Sequence, residues 1–408
     1  MTRELWRIAW RNLLRNRRRS ALTIASIAMG LAAVMFGQSL LRSFQKQMIE
    51  KSTGVMLGHV QIQARGVEDR KVPEILLAAP EPLRRLLEKD VRVKAVGTRL
   101  LFTGLVHASG GSRGVLIIGV EPEIERELSI LPGYLTQGRY LGDSPRDIFL
   151  GAKLAGDIDA RLGERVVVMA QSLKGDMSSE LFRVAGLFEA GSTAYDGQIV
   201  YVPIDAARRL RGAGGAASHV VAILHDVRRA ERLVAERRGD LRDPEAVLLT
   251  YKDVGSEIVG IKKFQDALLV VVLIIIFSIV GLGILNTISM SFFERIREFG
   301  VLRAIGARPI VVLRVLLAEA SLMGLLGAAG GLLLGLAFIR FFGVYGLELP
   351  LGRAMAYFMP FDDRIYMQPQ WAMHLKSAAG VYCVCVAAAL GPAVRAARLV
   401  VTDALRHI

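Results

Sequence analysis

Four long stretches of this chain carry no formal charge. They run Ser20–Leu41, Ala267–Phe293, Ala320–Ile339 and Ser377–Val394, or 22, 27, 20 and 18 residues. As helices rising about 1.5 Å per residue they reach roughly 27–40 Å, against ~30 Å of bilayer hydrocarbon. The runs predict four transmembrane helices, the fourth diluted by Gly380, Gly391 and Pro392. Buried core helices of a water-soluble protein are the bland alternative. Behind Arg17-Arg18-Arg19 the first run also resembles a secretory signal. Signal cores, however, are only about 7–15 residues long, and no small-x-small cleavage site follows, so an anchor that stays is expected. Cys383 and Cys385, the only cysteines, lie inside the fourth run, which excludes a disulfide framework and a Cys-based zinc site.

The formal charge of +14 first suggests nucleic acid, so its placement matters. Seven arginines and Glu4 precede Ser20. Four arginines and two acids lie in Glu294–Arg308, and three arginines and one acid follow Val394. These short segments hold +10 of the total, whereas Arg42–Asp266 holds 33 basic and 30 acidic groups. Short basic loops stay in the cytoplasm while a long, near-neutral domain crosses. Both termini are therefore expected in the cytoplasm, and no nucleic acid is needed to explain the charge. The expected fold is four transmembrane α-helices with a large α/β extracytoplasmic domain inserted between the first two. Its parts are an N-terminal helix at 1–19, spans at 20–43, 263–292, 309–340 and 377–394, and the domain at 44–262. A cytoplasmic loop occupies 293–308, a second outside loop 341–376 and a tail 395–408.

Arg3, Arg7, Arg11 and Arg15 recur every four residues, with Trp6, Trp10, Leu13 and Leu14 on another side. This describes an amphipathic helix in the headgroup layer; a plain inward extension of the first span is the alternative. In the large domain, strands are expected at His59–Gln63, Gly114–Val120, Arg165–Met169, Leu181–Leu187, Gln198–Val202 and Val220–Leu224. Helices are expected at Glu81–Lys89, Lys153–Leu162, Ile204–Leu210 and Val227–Arg238, the last as a solvated face.

Catalytic patterns are missing. There is no GxxxxGK[ST] phosphate loop, no HExxH and no GxSxG. The six histidines are scattered, and His219 and His225 are poorly spaced for a metal. No metal site is expected. Gly324, Gly327, Gly331 and Gly335 put small residues four apart in the third span, a spacing for close helix packing, or alternatively for a hinge. Arg314 and Glu319 are ionisable groups at membrane depth, which are costly and often functional. Five residues turn a helix by about 140° beyond one revolution, so the two do not face each other. Glu319 is expected to meet another helix, a neighbouring subunit or the N-terminal arginines, as a structural tie or a relay of motion.

The cytoplasmic loop is the most informative segment. Phe292, Ile296 and Phe299, with Leu302 and Ile305 beyond, follow a helical spacing with Glu and Arg between them. It reads as a short amphipathic helix, a break at Gly300 and a second turn, shaped for a groove on a partner protein.

From Glu294 through Arg295, Glu298, Phe299, Gly300, Leu302, Arg303 and Gly306 the loop resembles the coupling segment of the MacB/FtsX/LolC–LolE-type ABC permeases. Ala9 to Ser20 resembles the start of that family's first span, Leu317-Ala318-Glu319-Ala320 its third span, and Pro392 to Arg406 its C-terminus. Ile118 to Pro122, Gly138 to Leu141, Leu150 to Ala155, Phe182 to Gly186 and Val200 to Ile204 resemble its periplasmic core, so the likeness covers almost the whole chain. It implies two permease chains, identical or not, in a bacterial inner membrane, each docked on a cytoplasmic ATPase subunit that holds ATP and magnesium. No cofactor is implied in this chain, and it is not expected to be an enzyme. Glu294, Arg295, Glu298, Phe299, Gly300, Leu302 and Arg303 would meet the ATPase, whose stroke passes outward along the first two spans. No fused N-terminal ATPase domain is expected, which departs from MacB. With Gly58-His59-Val60-Gln61-Ile62, this implies the LolC/LolE type and extraction of lipoproteins from the membrane. Met29, Val34, Met35 and Phe36, facing Leu269, Ile276 and Phe277, would then line an acyl-chain opening, or simply face lipid. Alternatives are a drug, peptide or siderophore permease with a periplasmic adaptor, an FtsX-like regulator of cell-wall hydrolases, or a membrane sensor.

Overall fold

The structure, a computed structural model, describes residues 2–67, 74–142, 144–241, 243–348 and 364–398. The chain forms two compact units. One comprises Met1–Phe44, Lys263–Glu348 and Arg364–Ile408, the other Gln45–Lys262 and Leu349–Asp363.

The first unit is helical. Helices Arg17–Ser52, Ser256–Glu294, Pro309–Tyr345 and Trp371–Ala397 are long and apolar enough to cross a membrane. Helix Thr2–Arg15 precedes them, and helix Ile296–Ala304 joins the second span to the third. The third span starts on Pro309 at its first turn, where a missing N–H costs nothing. The unit's core draws Ile27, Leu31 and Met35 from the first span, Ile284 and Ile288 from the second, Leu316 and Ala320 from the third, and Val381 and Cys385 from the fourth. Side-chain hydrogen bonds link helices inside it: Thr23 to Thr287 at 2.8 Å, Gln38 to Ser377 at 2.9 Å and Ser39 to His374 at 3.2 Å. The spans are unequally covered. Only 11% of the second span's most apolar window is buried, against 33–39% for the other three.

The third-span glycines mark where the first span lies against it. A Cβ on Gly331 would sit 2.8 Å from Leu31 Cβ and 2.9 Å from the Ala28 carbonyl oxygen. One on Gly327 would sit 2.5 Å from Ile27 Cγ2, and one on Gly335 2.8 Å from Met35 Sδ. Gly324 faces the fourth span instead, 3.1 Å from Cys385 Cβ. Because part of the obstacle at Gly331 is backbone, Gly331→Ala forces the helices apart. We expect it to cost about 1–3 kcal/mol, while Gly330→Ala, with 3.4 Å to Ala28 Cβ, is tolerated. Thermal unfolding of the two full-length variants in detergent checks this, and equal midpoints would refute close packing at Gly331.

The second unit is α/β. Its strands are β1 (Val60–Ala64), β2 (Val93–Ala108), β3 (Gly111–Val120), β4 (Leu135–Gly138) and β5 (Asp147–Gly151). β6 (Arg165–Gln171), β7 (Met177–Phe188), β8 (Ile199–Pro203), β9 (His219–Leu224) and β10 (Ala246–Thr250) complete the set. They form one sheet in the order β10-β1-β9-β2-β3-β8-β5-β7-β4, with β6 pairing β2 and β7. Most pairs are antiparallel; β3–β8 and β5–β7 are parallel. Helices Pro80–Glu88 and Ala230–Arg237 cover one part of the sheet, and Ala152–Asp157 and Ile204–Arg211 another. The helix expected at Lys153–Leu162 stops at Asp157, before Asp159 takes a left-handed φ of 48°. The charged helix at 230–237 is not wholly solvated, since Leu233 and Val234 are buried.

Within this unit Thr53–Leu57 forms one turn of π-helix that ends at Gly58, φ 65°. A Cβ there would meet Val221 Cγ1 at 2.3 Å, so both the dihedral and the space demand glycine. A buried arginine grips this turn. Arg99 of β2 donates through Nη1 to the Met56 carbonyl, and through Nε and Nη2 to both oxygens of Glu125, at 3.1 and 2.6 Å. Both partners are almost fully buried. Burial, reinforced by the Arg99 charge, pulls the neighbouring His219 down to about 3, so its ring is neutral. Burial likewise pushes the hydroxyls of Tyr140, Tyr195 and Tyr201 above their usual range.

Candidate functional site

The basic loop between the second and third spans is tied to four other elements of the helical unit. The second span ends at Glu294, Arg295 leaves helical geometry (φ −117°, ψ 14°), and the loop helix begins at Ile296. That bend turns the Arg295 guanidinium inward. It donates to Glu319 Oε1 at 2.6 Å and to Glu298 Oε2 at 3.0 Å, and lies 4.9 Å from the Phe299 ring centroid. Arg295 and Glu319 are both buried. Asn12 of the N-terminal helix donates to Glu319 Oε1, and Ser291 donates to Oε2 at 3.4 Å. A carboxylate buried in an apolar bundle is tolerated only with such a charged partner and several donors.

The same loop is held from outside this centre. Arg15 donates to Glu298 Oε1 at 2.9 Å, while Arg19 forks onto both oxygens of Glu294 at 2.9 and 2.7 Å. Asn16 adds a third bond to Glu294 at 3.0 Å. Partial burial raises the Glu298 carboxyl, but bonds from Arg295 and Arg15 outweigh it and leave the group below its ordinary range. At the other end of the loop helix, Arg303 Nη1 donates to the Ala397 carbonyl at 2.8 Å, one of the oxygens left open where the fourth span ends. Phe292 and Phe299 stack beneath the loop, 6.3 Å between centroids. The helix is thereby fixed to the N-terminal helix, the third span and the fourth span. On and beside this helix the apolar side chains of Phe293, Val301, Leu302 and Ile305 are exposed, the last at 76%.

The seven residues expected to meet an ATPase thus divide. Arg295, Phe299 and Gly300 are buried within the unit, and Arg303 is partly buried and bonded to Ala397. Glu294 and Glu298 are exposed but held by arginines of the chain itself, while Leu302 is open. Gly300 is not a break. The helix runs through it to Ala304, and the chain turns at Gly306, φ 99°. Arg314 is exposed and apart from Glu319, whose partner from the N-terminal helix is Asn12 and not an arginine. Asn12 escaped the sequence reading. Its signal was the pair Asn12 and Asn16, one turn apart on one face between the arginines.

The residues named as an acyl-chain lining do not form one open face. Met29 is exposed, but Val34 and Met35 are buried, Met35 against Gly335. Phe36 packs edge-on against Phe342, Phe277 lies against Gly380, and Ile276 and Leu269 are half-buried.

Residues 20–238 match the family model of the MacB-like periplasmic core domain, and residues 270–401 that of the FtsX-like permease C-terminal region. An uncharacterized ABC transporter permease of Methanocaldococcus jannaschii is 24% identical, over 80% of this chain and 82% of that one. The lipoprotein-releasing system transmembrane protein LolC of Neisseria meningitidis is 21% identical, over 82% of this chain and 78% of its own length. The macrolide export ATP-binding/permease protein MacB of Agrobacterium fabrum is 24% identical, over 84% of this chain and 53% of its own length. Among solved structures, the periplasmic region of MacB from Actinobacillus actinomycetemcomitans is 16% identical with a TM-score of 0.38, covering 52% of this chain and 97% of that one.

Proposed function

This chain belongs to the ABC transporter permeases of the MacB/FtsX/LolC family, and we propose that it transmits the stroke of a separate ATPase subunit to release lipoproteins from the membrane that holds it. It is a multi-pass membrane protein with an extracytoplasmic domain. ATP and magnesium belong to the partner, which docks at the loop helix on the cytoplasmic side, and the working unit contains two permease chains. The observation that carries this reading is the triple fixation of the loop helix. A lever that receives force must move as one body with the spans behind it, and Arg295, Glu298 and Arg303 give it that property.

The docking surface is then the open apolar tip rather than the buried motif residues. Burying a leucine-sized side chain stabilises by about 1.5–3 kcal/mol, and ~1.4 kcal/mol is tenfold in affinity. A Leu302→Asp/Ile305→Asp variant is therefore expected to bind its ATPase at least about tenfold more weakly while the chain still folds. Affinity purification of the full complex checks this, and undiminished recovery of the ATPase would refute docking there. The same preparation tests the client. A co-purified diacyl or triacyl protein supports lipoprotein release. An unlipidated periplasmic adaptor in its place would favour efflux, and a cell-wall hydrolase would favour the regulatory reading.

A further inference from the structure

An open groove of about 730 Å³ lies where the loop helix and the start of the third span face the end of the fourth. Its apolar floor includes Ile310, Leu313 and Val394, and its charged residues are Arg303, Arg308 and Arg398. Among the described residues no acidic side chain lines it, and none of the three arginines pairs with a carboxylate. Arg303 uses one N–H on Ala397 and keeps its other donors. Three like charges around an apolar floor repel one another until an anion is placed among them.

The order of groups along the groove selects the anion. Leu313 and Val394 belong to the spans themselves, while Arg308 and Arg398 stand just beyond the ends of the third and fourth helices. An amphiphile lying along a span, acyl chain inward and phosphate outward, meets these residues in that sequence, and basic pockets between helix ends are built for such headgroups. An acidic peptide would leave the floor uncovered. We propose that this groove binds one anionic phospholipid, its phosphate among Arg303, Arg308 and Arg398 and an acyl chain along Leu313 and Val394. Such a lipid would bridge the loop helix to the fourth span beside the Arg303–Ala397 bond. The inference rests on the membrane-spanning reading, but on neither the ATPase nor the client.

Native mass spectrometry of the full-length chain, stripped to detergent and titrated with phosphatidylglycerol or phosphatidylcholine, tests it. One phosphatidylglycerol should bind in preference to phosphatidylcholine and survive excess inorganic phosphate. Arg308→Gln/Arg398→Gln should weaken it by about tenfold or more, as loss of two charge-assisted contacts requires. Arg11→Gln/Arg18→Gln, the same loss of charge elsewhere, should leave it intact. Equal binding of the two lipids, an unchanged adduct in the Arg308/Arg398 variant, or equal loss in both variants would overturn the proposal. Displacement by inorganic phosphate would overturn it too, as a site for the free ion. A detergent unfolding midpoint matching the parent shows that the variant has kept its fold.

Discussion

A permease in which Glu319 is replaced by glutamine is expected to be about 3–5 kcal/mol less stable than its parent, the usual penalty for removing one member of a buried ion pair. The loss comes chiefly from what remains. Arg295 stays buried, with Glu298 as its one carboxylate partner among the described residues. Arg295→Gln should cost a similar amount, since it leaves the Glu319 carboxylate with Asn12 and Ser291 as its donors among the described residues. The double variant, with neither buried charge, should recover most of the loss. Unfolding of the two single variants and the double in detergent measures the coupling directly. A local readout separates this joint from general fragility. With the Arg295–Glu319 tie gone, trypsin should cut faster after the exposed Arg297. If both single variants unfold like the parent and resist trypsin equally, the ion pair does not hold the loop.

The second large effect is expected in the outer domain. Arg99→Met should cost about 3–5 kcal/mol, because Glu125 is left buried without its charged partner. It also takes the donor from the Met56 carbonyl in the π-turn. Amide hydrogens at residues 53–57 should then exchange faster than in the parent. Glu125→Gln should destabilise the domain while Arg99 still reaches Met56, so protection of those amides falls less. Identical exchange in the two variants would show that Arg99 does not hold the turn.

The spans were legible because their signal is the absence of charge over a fixed length, which no tertiary context has to supply. The shorter β-branched strands were legible for a similar local reason. The longest strand, β2, was not. Gly97, Arg99, Gly104 and His107 interrupt its apolar pattern, and its middle is buried on both faces, which removes the alternation a half-exposed strand displays. The loop residues were read as a helix with apolar spacing, but a sequence does not say which side the rest of the bundle covers. Phe299 and Leu302 look equivalent on a helical wheel; one is buried and the other open. At Gly300 the sequence predicts a break, because glycine costs about 1 kcal/mol in a helix. Nothing in the local pattern announces that Phe299, Arg295 and the third span fix that turn regardless.

The uneven cover of the four spans has a mechanical consequence. The first and third helices interlock at Gly327, Gly331 and Gly335, so sliding one past the other means lifting side chains over backbone. The second, with 11% of its apolar window buried, forfeits few neighbours when it shifts, and a lipid tail replaces those it loses at little cost. Within this chain the bundle thus has a tightly interlocked half and a sparsely covered half, and under the proposed function a push on the loop helix, which follows directly from the second span, would be taken up first by that sparsely covered rod.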